Sequence, residues 1–91
     1  PNHPATLANL GVALYQLGQY SEAKTQFEKA LTAKPDDAAT TYLLGATYLQ
    51  MHDEKNAELM FKKALTIDPT LPEAHFGLGA LYAMQKKNDL A

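Results

Sequence analysis

Three glycines at a single interval constrain this chain more than any other feature: Gly11, Gly45 and Gly79 are each 34 residues apart. The same offset relates Ala23, Ala57 and Ala91, and also Leu10, Leu44 and Leu78. It pairs Phe27 with Phe61, Ala30 with Ala64, Leu31 with Leu65 and Pro35 with Pro69. A period of this length marks a supersecondary unit that cannot bury its apolar face alone and buries it against its own neighbours.

The local spacing says what the unit is made of. Leu7, Leu10, Leu14 and Leu17 recur at three- and four-residue steps, as do Ala23, Phe27, Ala30 and Leu31. That is helical periodicity, and it gives two helices per period. Gly18 and Gln19 supply a turn after the first helix, and Lys34-Pro35-Asp36-Asp37 closes the second. The aspartates can cap the helix that follows. The expected helices span residues 5–17, 21–33, 38–51, 55–67 and 72–85, with a sixth beginning near Asn88. Ser21 is the expected N-cap of the second, and Thr70, Pro72 and Glu73 read as cap, first-turn proline and capping-box acid of the fifth. No strand signal competes, so the fold class is all-α.

Glycine inside a helix costs about 1 kcal/mol relative to alanine. A cost repeated at one position of the period implies close approach of two backbones. Gly11 is expected to face Ala23 across the helix pair, with Phe27 filling the gap between neighbouring units.

Composition narrows the function. With 46% hydrophobic and 20% charged residues the chain has the make-up of a folded domain. There is no cysteine, hence no disulfide, thiolate metal site or thiol nucleophile. Net charge is -2 and all eight cations are lysines, so the forked guanidinium that reads phosphate or guanine is missing. A nucleic-acid partner is not expected, and no apolar run approaches the ~20 residues that span a bilayer. Because the chain opens on Pro1 and stops at Ala91 with the pattern still in progress, it is expected to be a single segment of a longer protein. The compartment is unassigned, the cytoplasm being the default and the periplasm the alternative.

Catalytic constellations are lacking. His3, His52 and His75 stand apart from one another, without the helix-face pairing of a zinc motif. Asp53-Glu54 reads as a helix N-terminus, where negative charge is favoured. Lys62-Lys63 and Lys86-Lys87 read as solvated surface, and Gly77-x-Gly79 lies within a helix rather than in a phosphate loop. No catalytic residue, cofactor or metal ligand is assigned, and the chain is not expected to be an enzyme.

The run Leu7-x2-Leu10-Gly11-x2-Leu14 with Ala23-x3-Phe27, Ala30 and Pro35 resembles the tetratricopeptide repeat, and so does its successor, Leu44-Gly45-x2-Tyr48 with Ala57-x3-Phe61, Ala64 and Pro69. The resemblance covers two full repeats, 4–37 and 38–71, and the first half of a third, 72–91. Leu7, Thr41 and His75 stand where the family has an aromatic residue, and His52 stands where it has a turn glycine.

The resemblance implies a right-handed superhelix of helical hairpins, whose concave wall is built from the first helix of each repeat and holds a peptide or helix. It would place Ala8, Val12 and Tyr15, Tyr42, Leu43, Ala46 and Leu49, and Phe76, Ala80 and Met84 on that wall. Asn9, Gln16, Gln50 and Glu73 would be its polar edge. Tyr15, Tyr42 and Phe76 are the expected aromatic anchors and Met84 an adaptable one. Tyr42→Ala is expected to abolish binding with the fold intact. Val12, Leu43 and Leu49 are equally readable as packing on a neighbouring helix, whereas Tyr42 and Phe76 are expected to be exposed. One subgroup of the family grips a ligand's C-terminal carboxylate through five fixed positions, held here by Ala8, Val12, Leu43, Glu73 and Gly77, none of which donates a charge-assisted hydrogen bond. The partner is therefore a protein or peptide without such a tail. The alternative is a homo-oligomer, with Leu78, Leu81 and Tyr82 of an unfinished repeat covered by a neighbouring copy.

Overall fold

Proline at a helix start and aspartate at a cap set the rhythm of the chain. The computed structural model describes residues 3–90, side chains through Lys87. Five helices follow one another: α1 (Pro4–Gln16), α2 (Tyr20–Ala33), α3 (Ala38–Gln50), α4 (Glu54–Ile67) and α5 (Pro72–Leu90). Among the described residues there is no strand.

Asp37 caps α3: its side chain accepts from the Thr40 N–H at 3.4 Å and from the Thr40 hydroxyl at 2.8 Å. Asp53 does the same for α4 through the Asn56 N–H at 3.3 Å and the Asn56 amide at 2.7 Å. Ser21 is not a cap; α2 starts at Tyr20 with Gln19 at the cap position, which leaves Ser21 inside the first turn. Thr70 is not one either. Its N–H and hydroxyl both bond Asp68 Oδ1, at 3.2 and 2.9 Å, in a turn that precedes Pro72.

The two turns inside the repeats are the same device. Gly18 has φ 80° and His52 has φ 64°. In the first, Gly18 N–H donates to the Tyr15 carbonyl and Gln19 N–H to that of Leu14; in the second, His52 N–H donates to Leu49 and Asp53 N–H to Tyr48. This is the Schellman ending. The third position of the series is Lys86, and there the chain does not turn. Helix α5 continues to Leu90, so no sixth helix begins near Asn88. Lysine is a good helix former with no ease in the left-handed region, and two lysines in succession prolong the helix.

The helices pair as α1 with α2 and α3 with α4, α2 packs on α3 and α4 on α5, while α1 touches α3 and α3 touches α5. Two clusters form the core. Ala23, Phe27 and Leu44 make one, with Val12, Leu14, Tyr15, Leu43 and Met60 packed around it; Ala57, Phe61 and Leu81 make the other, with Tyr42, Ala46, Leu49 and Leu78. Each phenylalanine thus joins its own repeat to the next. The nearest side-chain atoms above Gly11 belong to Phe27 and not to Ala23, so the close approach is of a backbone to a ring.

Repeat position does not by itself decide burial. Leu44 is 5% exposed, whereas Leu10 at the same position is 47% exposed, because no described element stands to Leu10 as α2 stands to Leu44. Thr41, in the place of the family's aromatic residue, is fully buried, its hydroxyl donating to the Asp37 carbonyl at 2.9 Å.

Candidate functional site

The predicted wall draws on α1, α3 and α5, neighbours in pairs, and their composition is one-sided. Helices α1 and α3 contain no charged residue, and α5 contains none before Lys86 except Glu73. All the other acids and lysines lie on α2, α4, the connecting turns or the end of α5.

Several wall residues are tied into the core by one side. Val12, Tyr15 and Leu43 pack against the Phe27 cluster, and Tyr42, Ala46 and Leu49 against the Phe61 cluster, all of them half-buried. Ala8 and Ala80 are also half-buried, while Asn9, Gln16, Gln50 and Glu73 are exposed. Phe76 is 77% exposed and Met84 40%, a large apolar exposure on one helix.

Tyr42 is less free than its repeat position suggested. Its ring stacks on Phe61 with centroids 5.7 Å apart and planes at 30°. Burial pushes its hydroxyl pKa up, and the neighbouring Tyr15 and Glu73 add to the shift. Tyr15 in turn meets Tyr20 edge-on, at 5.3 Å and 68°.

Leu81 does not belong to a bare surface. It is fully buried against Ala57 and Phe61, because it lies on the side of α5 that packs on α4. Of its two companions, Leu78 is half-buried and Tyr82 is exposed, with its hydroxyl donating to Glu58 Oε2 at 2.9 Å.

A concavity away from the predicted wall was not foreseen. A cleft of about 370 Å³ is lined by Leu31, Leu44, Tyr48 and Met60, with Glu28 and Lys63 at its rim. Lys24 Nζ lies 5.6 Å from the centroid of the Tyr48 ring. Leu31 and Leu44 belong to the periodic pattern while Met60 replaces Gln26 of the first repeat, and nothing in spacing tells a cleft between two second helices from filled core. No residue of the predicted wall lines it. Among the described residues no cluster of metal-ligating side chains occurs, and no helix is long and apolar enough to cross a membrane.

Comparison with known proteins agrees with this architecture. Residues 5–70 match the family model of the tetratricopeptide repeat, and residues 60–86 match a model described as TPR repeat. Over 40 residues the chain is 45% identical to the human protein O-mannosyl-transferase TMTC2, a stretch that is 44% of this chain and 5% of that protein. The chain thus spans a small part of the curated relative it matches. Among solved structures, the first TPR of Spaghetti (RPAP3) bound to the HSP90 peptide SRMEEVD superposes with a TM-score of 0.86 at 23% identity, covering 91% of this chain and 67% of that one. At that identity the likeness is one of fold: an all-α solenoid of helical hairpins.

Proposed function

Because the chain belongs to the tetratricopeptide repeat family, we propose that it is a non-catalytic scaffold holding a partner peptide or helix in an apolar groove formed by α1, α3 and α5. The observation that carries this is the near-absence of charge along those three helices together with Phe76 standing 77% exposed among them. An aromatic ring left in water on a face with so little charge is the usual anchor of an interface. Tyr15, Tyr42 and Met84 supply further contact, and Asn9, Gln16 and Gln50 its polar rim. The 40-residue likeness to a transferase covers 5% of that protein and brings no activity to this chain.

The groove lacks a carboxylate clamp. The solved neighbour is bound to SRMEEVD, a peptide with three acids among its last four residues. At the five clamp positions this chain has Ala8, Val12, Leu43, Glu73 and Gly77, so nothing there donates to a carboxylate and Glu73 repels one. Selection of phage-displayed peptides on the folded chain tests both points. Enriched peptides are expected to be apolar without a preference for an acidic C-terminus, and Phe76→Ala to lose them without a change in melting temperature. Tight binding of SRMEEVD itself, or retention of the selected peptides by Phe76→Ala, would contradict the proposal.

Self-association is the alternative, and one observation favours it: nothing lies within 4 Å of a Cβ placed on Gly79, so this part of α5 is open. Light scattering behind a sizing column over a tenfold concentration range distinguishes a dimer from a monomer, and a monomer throughout removes it.

A further inference from the structure

From α1 through α3 to Gln85 of α5, the first helices carry one formal charge, on Glu73. Glu73 is exposed and makes no ion pair among the described residues, where the pair within 4 Å joins Lys62 to Glu58. It lies three residues before Phe76 on α5, a spacing that places two side chains on one helix face. Phe76 in turn occupies the same repeat position as Tyr42 on the adjacent helix α3, 34 residues earlier. Helix α5 touches α3, and Glu73 adds to the upward shift of the Tyr42 hydroxyl.

A carboxylate on the same helix face as an open aromatic ring attracts the same kind of group twice. The negative face of a ring and an ionised acid both draw a cation, and both disfavour an anion. Guanidinium suits the combination better than ammonium: it is flat, weakly hydrated, able to lie on a ring and to donate two parallel hydrogen bonds to a carboxylate at its edge. We propose that Glu73, Phe76 and Tyr42 form a subsite for a basic side chain, arginine in preference to lysine, so that the partner is an apolar segment bearing a positive charge. This rests on the groove proposed above. It also assigns a direction to the ligand, because the subsite belongs to the α5 end of a wall that is otherwise neutral.

Short blocked peptides of alanine and leucine with a central arginine, norleucine or glutamate, titrated into the isotope-labelled chain and followed by NMR, provide the test. The arginine peptide is expected to bind about tenfold more tightly than the norleucine peptide, with the glutamate peptide weakest. Amide shifts should centre on Tyr42, Glu73 and Phe76. Glu73→Gln should reduce the arginine peptide to the norleucine level, and Glu73→Lys should invert the order; both variants keep the fold, since Glu73 is exposed. Equal binding of the arginine and norleucine peptides overturns the subsite and leaves the groove standing. Failure of all three to bind overturns both.

Discussion

A Cβ placed on Gly11 would lie 2.6 Å from Cε1 of Phe27, closer than any real side chain tolerates. Phe27 is fully buried and its ring cannot swing away. The glycine is therefore the seat of a ring, and the relationship recurs one repeat later, where Gly45 sits 2.8 Å from Cδ1 of Phe61 by the same construction. A Cβ placed on Gly77 of α5 would likewise lie 2.9 Å from Cζ of Phe61. One aromatic side chain seated against two glycines makes the joint between neighbouring repeats.

Adding a side chain is thus expected to have opposite effects at equivalent glycine positions. Gly45→Leu should destabilise by about 1–3 kcal/mol through overpacking against Phe61. Gly79→Ala meets no atom within 4 Å and should stabilise by up to about 1 kcal/mol, since alanine suits a helix better than glycine. Urea denaturation of the two variants beside the parent measures the contrast. Equal losses at both positions would mean that the ring contact is not what the glycines serve.

His52 holds a left-handed backbone that glycine adopts without strain. A side chain there costs about 1–2 kcal/mol, of which the greater freedom of unfolded glycine returns about 0.4–1. His52→Gly is expected to stabilise by a net of about 0.5–1 kcal/mol, visible as a higher thermal midpoint. Gly18→Ala should do the reverse at the matching turn. A lower midpoint for His52→Gly would show that the imidazole contributes something the turn geometry does not reveal.

The period of the glycines and phenylalanines made the helical hairpins and their order legible, because each local signal is repeated and each agrees with its neighbours. What the pattern could not convey was context. Leu10 and Leu44 are one symbol in the repeat but differ in burial, since burial depends on which helix precedes them in space. Leu81 looked like exposed surface because its repeat was incomplete, yet it packs on α4. Lys86 stands where Gly18 and His52 turn the chain, and the turn is absent because nothing in its side chain favours one. Of the wall, the repeat positions led to Phe76 as an open ring but overlooked that Tyr42 is stacked on Phe61.

The acid limb of stability should depend on a cap. The Asn56 side-chain amide holds the Asp53 carboxyl below its ordinary range, and the Asn56 N–H adds to this. A carboxyl whose pKa is depressed in the folded state contributes stability that is present above its unfolded pKa, about 3.9. That stability is lost as pH falls through the lower folded value. The thermal midpoint is therefore expected to drop on acidification below about pH 4. Asp53→Ala should melt lower at neutral pH and show a shallower drop in acid. Parallel acid limbs for parent and variant would place the sensitivity at other carboxyls.

Stability and recognition should separate between the two aromatic residues that share a repeat position. Tyr42 is half-buried and stacked on Phe61, so Tyr42→Ala is expected to cost about 1–3 kcal/mol rather than leave the fold untouched. Tyr42→Phe keeps the stacking and should cost little. Phe76, at 77% exposure, packs against little, and Phe76→Ala should change stability by no more than about 0.5 kcal/mol. Chemical denaturation of the three variants gives the ordering. A binding defect in Phe76→Ala then reports on the groove directly, whereas one in Tyr42→Ala has first to be corrected for the loosened contact with Phe61. If Phe76→Ala proves as destabilising as Tyr42→Ala, its ring is part of the core and cannot serve as the open anchor of a partner.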